Sequence, residues 1–271
     1  MLGRRSRIEV KTPEQLRTMR AAGLVVADAL AEVRALVAPG ITTGELDAAA
    51  ARVIEKAGAT SNFKGYHGFP GVICTSVNDE VVHGIPGGRV LHEGDLISID
   101  CGAIVDGWHG DSAITVPVGH VSPAALALSE ATERALWAGI AKARVGGRLT
   151  DIGAACEAEI AGRYGIVVDY VGHGIGSQMH MDPSVPHVGP AGRGPQLRAG
   201  MALAIEPMIT AGSPEVTILE DDWTVVTLDG SASAHWEHTV ALTPTGPVVL
   251  TAPGAGAVRL AALGVAIGSL G

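Results

Sequence analysis

Two stretches of the chain, HEGDLISIDCG (92–102) and RAGMALAIEPM (198–208), share a glycine, an alternating apolar run and then an acid. Gly94 matches Gly200, Ile99 matches Ile205 and Asp100 matches Glu206, all at an offset of 106. Gly40, Thr43 and Gly58 match Gly147, Thr150 and Gly165 at an offset of 107. The order of elements read from periodicity and caps repeats with them: helix, helix, strands, twice over. An internal duplication of about 105 residues accounts for all of this. It predicts an α+β chain in which two halves, related by a pseudo-twofold, pack antiparallel sheets together under outer helices. A ligand site then belongs between the halves. VVHGIP (81–86) and VGHGIG (171–176) also resemble each other, at an offset of 90, and read as diverged copies of one histidine segment.

The first helix starts at Thr12-Pro13 and runs toward Pro39-Gly40; the second follows Thr42 or Thr43 and stops at Gly58. In the second half, Ser122 caps a helix over 122–147 and Thr150 caps another that runs toward Gly165. Between and after these pairs, VICTSV, LISIDCG and WHGDSAITVPVG read as strands, and 167–250 as strands and loops. Residues 8–251 form one domain in this reading, flanked by a basic N-terminal tail (1–7) and a C-terminal tail (252–271).

Composition narrows the classes. A net charge of −9 argues against a general nucleic-acid surface. No segment approaches the roughly 20 apolar residues that span a bilayer, and no apolar run follows the arginines of MLGRRSRIEV. Cys74, Cys101 and Cys156 are widely spaced, which fits reduced thiols and a cytoplasmic location.

The acids carry the chemistry. In LISIDCG, Leu96, Ser98 and Asp100 share one face and Ile97, Ile99 and Cys101 the other. Asp106-Gly107 is a two-residue hairpin signal. If it closes the turn, residue 102 lies opposite 111, and Asp100 and Asp111 become diagonal neighbours on one face. Side-by-side buried carboxylates repel, and a cation is the economical remedy. Glu206 ends the matching strand. Glu237 lies in AHWEHTVALT, where His235, Glu237 and Thr239 share a face, and His173 lies in a Gly-rich turn. Any one of these has an ordinary structural explanation. Together, four carboxylates and an imidazole spread over both halves suit one or two divalent ions such as Mn, Fe(II), Co or Zn.

YHGFPGVICTSVNDEVVHGIP (66–86), SIDCGAIVDGWHGDSAIT (98–115), GHGIGSQMHMDPSVPH (172–187), MALAIEPM (201–208) and SAHWEHTVALT (232–242) resemble the type I methionine aminopeptidases, which have the pita-bread fold. The resemblance spans residues 8–251 and implies two divalent metal ions held by Asp100, Asp111, His173, Glu206 and Glu237. Asp111 and Glu237 would bridge, His173 and Glu206 would serve one ion and Asp100 the other. A water between the ions would attack the scissile carbonyl, with Glu206 as general base and proton shuttle. His180 would stabilise the oxyanion and His83 would contact the scissile nitrogen. Phe63, Tyr66, Phe69, Cys74, Met179 and Trp223 would wall an apolar methionine pocket; Met179 stands where the family often has an aromatic. The implied substrates are nascent polypeptides and peptides with an N-terminal Met and a small second residue. The chain reads as a monomer that uses no membrane or specific nucleic acid; the basic cluster Arg4, Arg5 and Arg7 reads as a solvated tail, with transient ribosome contact as the alternative.

About 31 residues separate Glu206 from Glu237, too few for the helical insertion of type II enzymes. Two other readings stand beside this one: a proline-directed peptidase of the same fold, and a non-catalytic pita-bread protein that binds a partner or RNA. The first expects an additional N-terminal domain, and the second expects lost ligand positions.

Overall fold

A computed structural model describes residues 8–271; the expected basic tail, 1–7, lies outside the described residues. In the first half, Thr12 caps helix Pro13–Leu36 and Thr42 caps helix Thr43–Lys56, each through a reciprocal capping box with the residue three further on. Both helices lie on one face of a sheet centred on Leu96–Val105. Trp108–Pro117 pairs along one edge of that strand, and Thr60–Ser61 and Ile73–Val77 follow one another along the other. Val26, Leu30, Val33, Leu46 and Ile54 from the helices close over Ile73, Ile97, Ile99 and Cys101. The alternation in LISIDCG therefore sends Cys101 toward the helices and Asp100 toward the other half.

The hairpin forms as its turn signal requires. Asp106 (φ 47°) and Gly107 (φ 77°) make the two-residue tip, and Gly102 pairs with Asp111.

The second half repeats the plan with helices Pro123–Lys142 and Thr150–Ile160 over a five-stranded sheet. Its order is Gly246–Val249, His238–Thr243, Ala202–Ile205, Gly172–Gly174, Met181–Val185, with every neighbour antiparallel. Leu136, Ile140, Ile152, Leu203, Ile205, Val240 and Leu242 fill the space between.

Several sequence expectations change here. Thr150 does not cap its helix: its hydroxyl is drawn away by the backbone N–H and C=O of Arg193, and the helix starts after Leu149 without a side-chain cap. That helix also stops early, at Ile160, where Ala161 turns left-handed (φ 50°). Residues 252–271 do not stand off as a tail. They include helix Ala257–Ala262, Leu260 and Val265 join the second-half core, and Arg17 Nη1 donates to the Gly271 carbonyl at 2.9 Å. Finally, the two histidine segments are not topological copies. His173 lies within Gly172–Gly174 and pairs with Ala204 on the acid-bearing strand. The first-half strand in that place is Ile73–Val77. His83 instead follows Glu80–Val82, which pairs with Val225–Thr227 in a separate sheet.

One further irregularity shapes the site. Ala202–Ile205 and Met208–Thr210 are separate strands, as are Ser233–His235 and His238–Thr243, so the expected continuous run through AHWEHT is broken. Ile205 pairs with His238 and Met208 with His235; Glu206-Pro207 and Trp236-Glu237 face each other across the gap. Pro207 has no N–H for a ladder, and both glutamates sit where the ladder lapses.

The first-half hairpin reaches its neighbours closely at Gly110. A Cβ there would lie 2.7 Å from the Gly23 nitrogen and 2.9 Å from its Cα, against helix Pro13–Leu36. We expect Gly110→Ala to lower unfolding free energy by about 1–3 kcal/mol in chemical denaturation, the usual cost of overpacking; an unchanged midpoint would contradict this close approach.

Candidate active site

The two halves meet along strand Trp108–Pro117 and segment 235–239. Thr239 Oγ1 accepts from the Asp111 N–H (3.0 Å) and donates to its carbonyl (2.8 Å). Ser112 Oγ donates to the Glu237 carbonyl (2.6 Å), and the Glu237 N–H donates to the Ala113 carbonyl (3.0 Å). Thr115 Oγ1 donates to the His235 carbonyl (2.7 Å). These buried hydrogen bonds tie Asp111 from one half to Glu237 from the other.

The structure brings the five sequence-selected polar residues together at this seam. Asp111, His173 and Glu237 each offer a ligand atom within 4.8 Å of the others. Glu206, His235 and Glu237 do the same. Asp100 lies against Asp111 and Glu237. His173 Nε2 is 3.3 Å from Glu206 Oε1. His173 Nδ1 lies 3.0 Å from the Gly174 carbonyl, which can only accept, so the ring proton belongs on Nδ1 and Nε2 presents a bare lone pair. That lone pair faces a carboxylate oxygen, an arrangement that repels unless a proton or cation lies between.

Burial dominates the electrostatics. It pushes the Asp100 carboxyl up to about 7. Burial first, and neighbouring carboxylates second, hold Asp111, Glu206 and Glu237 well above the usual carboxylate range. Burial also lowers His173 to about 3 and His83 to about 4, with His180 as the second cause for each. Asp100 Oδ1, Asp111 Oδ1, Glu237 Oε1 and His235 Nε2 are buried with no hydrogen-bond partner. The three orphaned carboxylate oxygens, with the bare Nε2 of His173 beside them, fit divalent cations: oxygen-rich donors with an imidazole nitrogen.

A cavity of about 270 Å³ runs from this cluster into an apolar end. Phe63, Tyr66, Phe69, Cys74, Met179 and Trp223, the six wall residues named from the sequence, all line it. Edge-to-face rings define its walls, with Phe69 and Trp223 centroids 5.0 Å apart and Phe63 and Phe69 6.5 Å apart. His83 and His180 stand at its mouth, where an open cleft of about 690 Å³, also lined by Tyr170, Gln178, Asp182 and Ser184, leads to solvent. The Tyr66 hydroxyl and His180 Nδ1 lie 2.8 Å apart.

Sequence reasoning missed several residues. Ile85 packs on the apolar end, and Val82 and His67 line the cavity. His187 Nε2 accepts the Glu206 N–H at 3.0 Å, a long-range contact that no local pattern announces. His235 has a local signal, its place on one face with Glu237.

With the geometry in place, the comparisons with known proteins give the class. A family model described as metallopeptidase family M24 matches residues 17–244. The chain belongs to that family, whose members use divalent metal ions. It is 58% identical over 245 residues to "Methionine aminopeptidase 1" of Mycobacterium tuberculosis, covering 88% of this chain and 92% of that protein. Among solved structures, a methionine aminopeptidase from Thermotoga maritima superposes with a TM-score of 0.89 at 40% identity, covering 90% of this chain and 99% of that one. A prolidase from Pyrococcus furiosus shares the pita-bread fold (TM-score 0.71, 20% identity), and the match covers only 65% of its length. Among the described residues, no helix is long and apolar enough to cross a membrane.

The pKa directions set a pH test. With metal removed, carboxyls raised by burial contribute stability at low pH that is lost as pH rises through their folded values, about 7 for Asp100. The lowered imidazoles, about 3 for His173, His187 and His235 and about 4 for His83 and His238, act in the opposite direction. Their contribution grows only up to the unfolded value of about 6.5. The Tm of the metal-free protein should therefore fall between about pH 6.5 and 8, where the carboxyls act alone, and saturating Mn should flatten the fall. A metal-free Tm that is flat or rising across that window would contradict the cluster's burial.

Proposed function

We propose that the protein removes the N-terminal methionine from peptides and nascent chains when the second residue is small. It is a metal-dependent aminopeptidase. The observation that carries this reading is the single cavity with two unlike ends: six apolar walls at one, four carboxylates at the other. An unbranched thioether suits the apolar end, where sulfur meets Phe69, Tyr66 and Trp223. A methionine seated there presents its α-amino group and scissile carbonyl to the acids.

In this reading Asp100, Asp111, His173, Glu206 and Glu237 are the residues that would hold two divalent ions. Mn, Fe(II), Co or Zn suits the donor set. Such ions supply Lewis acidity, lowering the pKa of water and polarising a carbonyl. Glu206 takes the proton of the attacking water and returns it to the leaving amine. With the Tyr66 hydroxyl donating to Nδ1, His180 carries its proton on Nε2 and donates to the substrate oxygen as charge develops there. His83, neutral at pH 7, contacts the scissile nitrogen. The rest of the substrate leaves through the open cleft past Tyr170 and Gln178. The proposal places the enzyme in the cytoplasm, as a monomer acting on chains near the ribosome; three free buried cysteines accord with that compartment.

The substrate rule follows from the same geometry. A closed first pocket leaves the carbonyl no freedom, and the second side chain points at the turns bearing His83 and His180. A bulky second residue displaces the carbonyl, and a misplacement near 1 Å costs on the order of 10²-fold in rate. Met-Gly-, Met-Leu- and Leu-Gly-initiated tripeptides, assayed with Mn, Co and Fe(II), test it. Met-Gly should exceed both others in kcat/KM by on the order of 10²-fold. Comparable values on all three would overturn the methionine-specific reading.

A further inference from the structure

Glu206 sits among three imidazoles, and only His173 belongs to the ligand set read from the sequence. His187 holds the main chain, its Nε2 accepting the Glu206 N–H at 3.0 Å. The two side-chain oxygens are divided between the other rings. Oε1 lies 3.3 Å from His173 Nε2, and Oε2 lies 3.7 Å from His235 Nε2.

His235 is 1% exposed, and its Nε2 has no hydrogen-bond partner. Its backbone is held from the first half of the molecule. The His235 N–H lies 3.2 Å from Ser98 Oγ and 3.0 Å from Thr115 Oγ1, and Thr115 Oγ1 donates to its carbonyl. A ring aimed this firmly at a carboxylate from a fixed strand is suited to orienting it. A carboxylate oxygen only accepts, so the matching imidazole tautomer carries its proton on Nε2.

We propose that His235 is a positioning residue for Glu206: its Nε2–H donates to Oε2, which keeps Oε1 turned toward the ion shared with His173. This rests on the dimetal reading above. The 3.7 Å separation exceeds hydrogen-bond length, and a small rotation of the Glu206 carboxylate closes it. Partners of this kind, one shell out from an ion, set the orientation and basicity of its ligands. The competing role, His235 as a ligand itself with Glu206 and Glu237, makes a different prediction.

Three variants separate these. His235→Gln keeps an N–H donor at similar reach, His235→Asn keeps a donor that falls short, and His235→Leu has none. The readouts are Mn affinity of the metal-free protein by calorimetry, and kcat and KM for Met-Ala-Ser at saturating Mn. Leu and Asn should weaken the tighter Mn site by about 10–100-fold and lower kcat with KM nearly unchanged, while Gln stays within about threefold of the wild type. Thermal unfolding of each metal-free variant checks folding; if the Leu variant does not fold, the Asn and Gln pair decides. Wild-type Mn binding and turnover in the Leu or Asn variant would overturn the proposal. A Gln variant that falls as far as the Leu variant would overturn it in favour of ring-nitrogen ligation. Wild-type protein that binds no Mn would instead sink the dimetal reading, a result the calorimetry shows before any variant is made.

Discussion

Four carboxyl groups buried within reach of one another are unstable as anions without a compensating positive charge. Asp111, Glu206 and Glu237 are each buried, and Asp100 lies against two of them. Much of the molecule serves to hold them there. The hairpin fixes Asp111 diagonally to Asp100, and the Thr239, Ser112 and Thr115 hydroxyls stitch one half to the other. The lapse of the ladder at Pro207 and Trp236 frees two glutamates to point inward. Proton uptake or cation binding relieves the repulsion. At neutral pH the neutral imidazoles and orphaned oxygens favour the cation.

The same seam explains why one cavity joins chemistry to recognition. The strand Ile73–Val77 pairs with Leu96–Val105 so that Cys74 faces Asp100 across the ladder. The pocket wall and an acid are thus neighbours by register. On the other side, the turn after His173 carries Met179 and His180, which line the apolar end and its mouth. In the proposed reading, a methionine side chain and the bond beside it would be measured against this one frame.

Much of this was legible in the sequence, for physical reasons. Period-two alternation and an Asp-Gly turn determine register, so the Asp100–Asp111 diagonal could be read directly. Helix caps are local: the start at Thr12-Pro13 and the choice between Thr42 and Thr43 follow from adjacent residues, and in the structure Thr12 and Thr42 are the caps, each closed by a reciprocal box. Long-range competition was not legible. Arg193 takes the Thr150 hydroxyl from its helix, and Leu260 and Val265 draw the last residues into the core. The likeness of the two histidine segments misleads because short Val-His-Gly strings carry little information; strand pairing, not the string, shows that His173 lies in one sheet while His83 follows the strand Glu80–Val82 of another. His187 and His235 act through contacts with residue 206, which lies 19 positions from His187, and no periodicity spans that.

The central claim is that the seam between the halves is a site for two divalent ions. Anomalous diffraction from crystals equilibrated with Mn tests it most directly. The account predicts two peaks about 3.5–4 Å apart, one among Asp111, His173, Glu206 and Glu237 and the other among Asp100, Asp111 and Glu237. Mn peaks confined to surface carboxylates, with the seam empty, would contradict it.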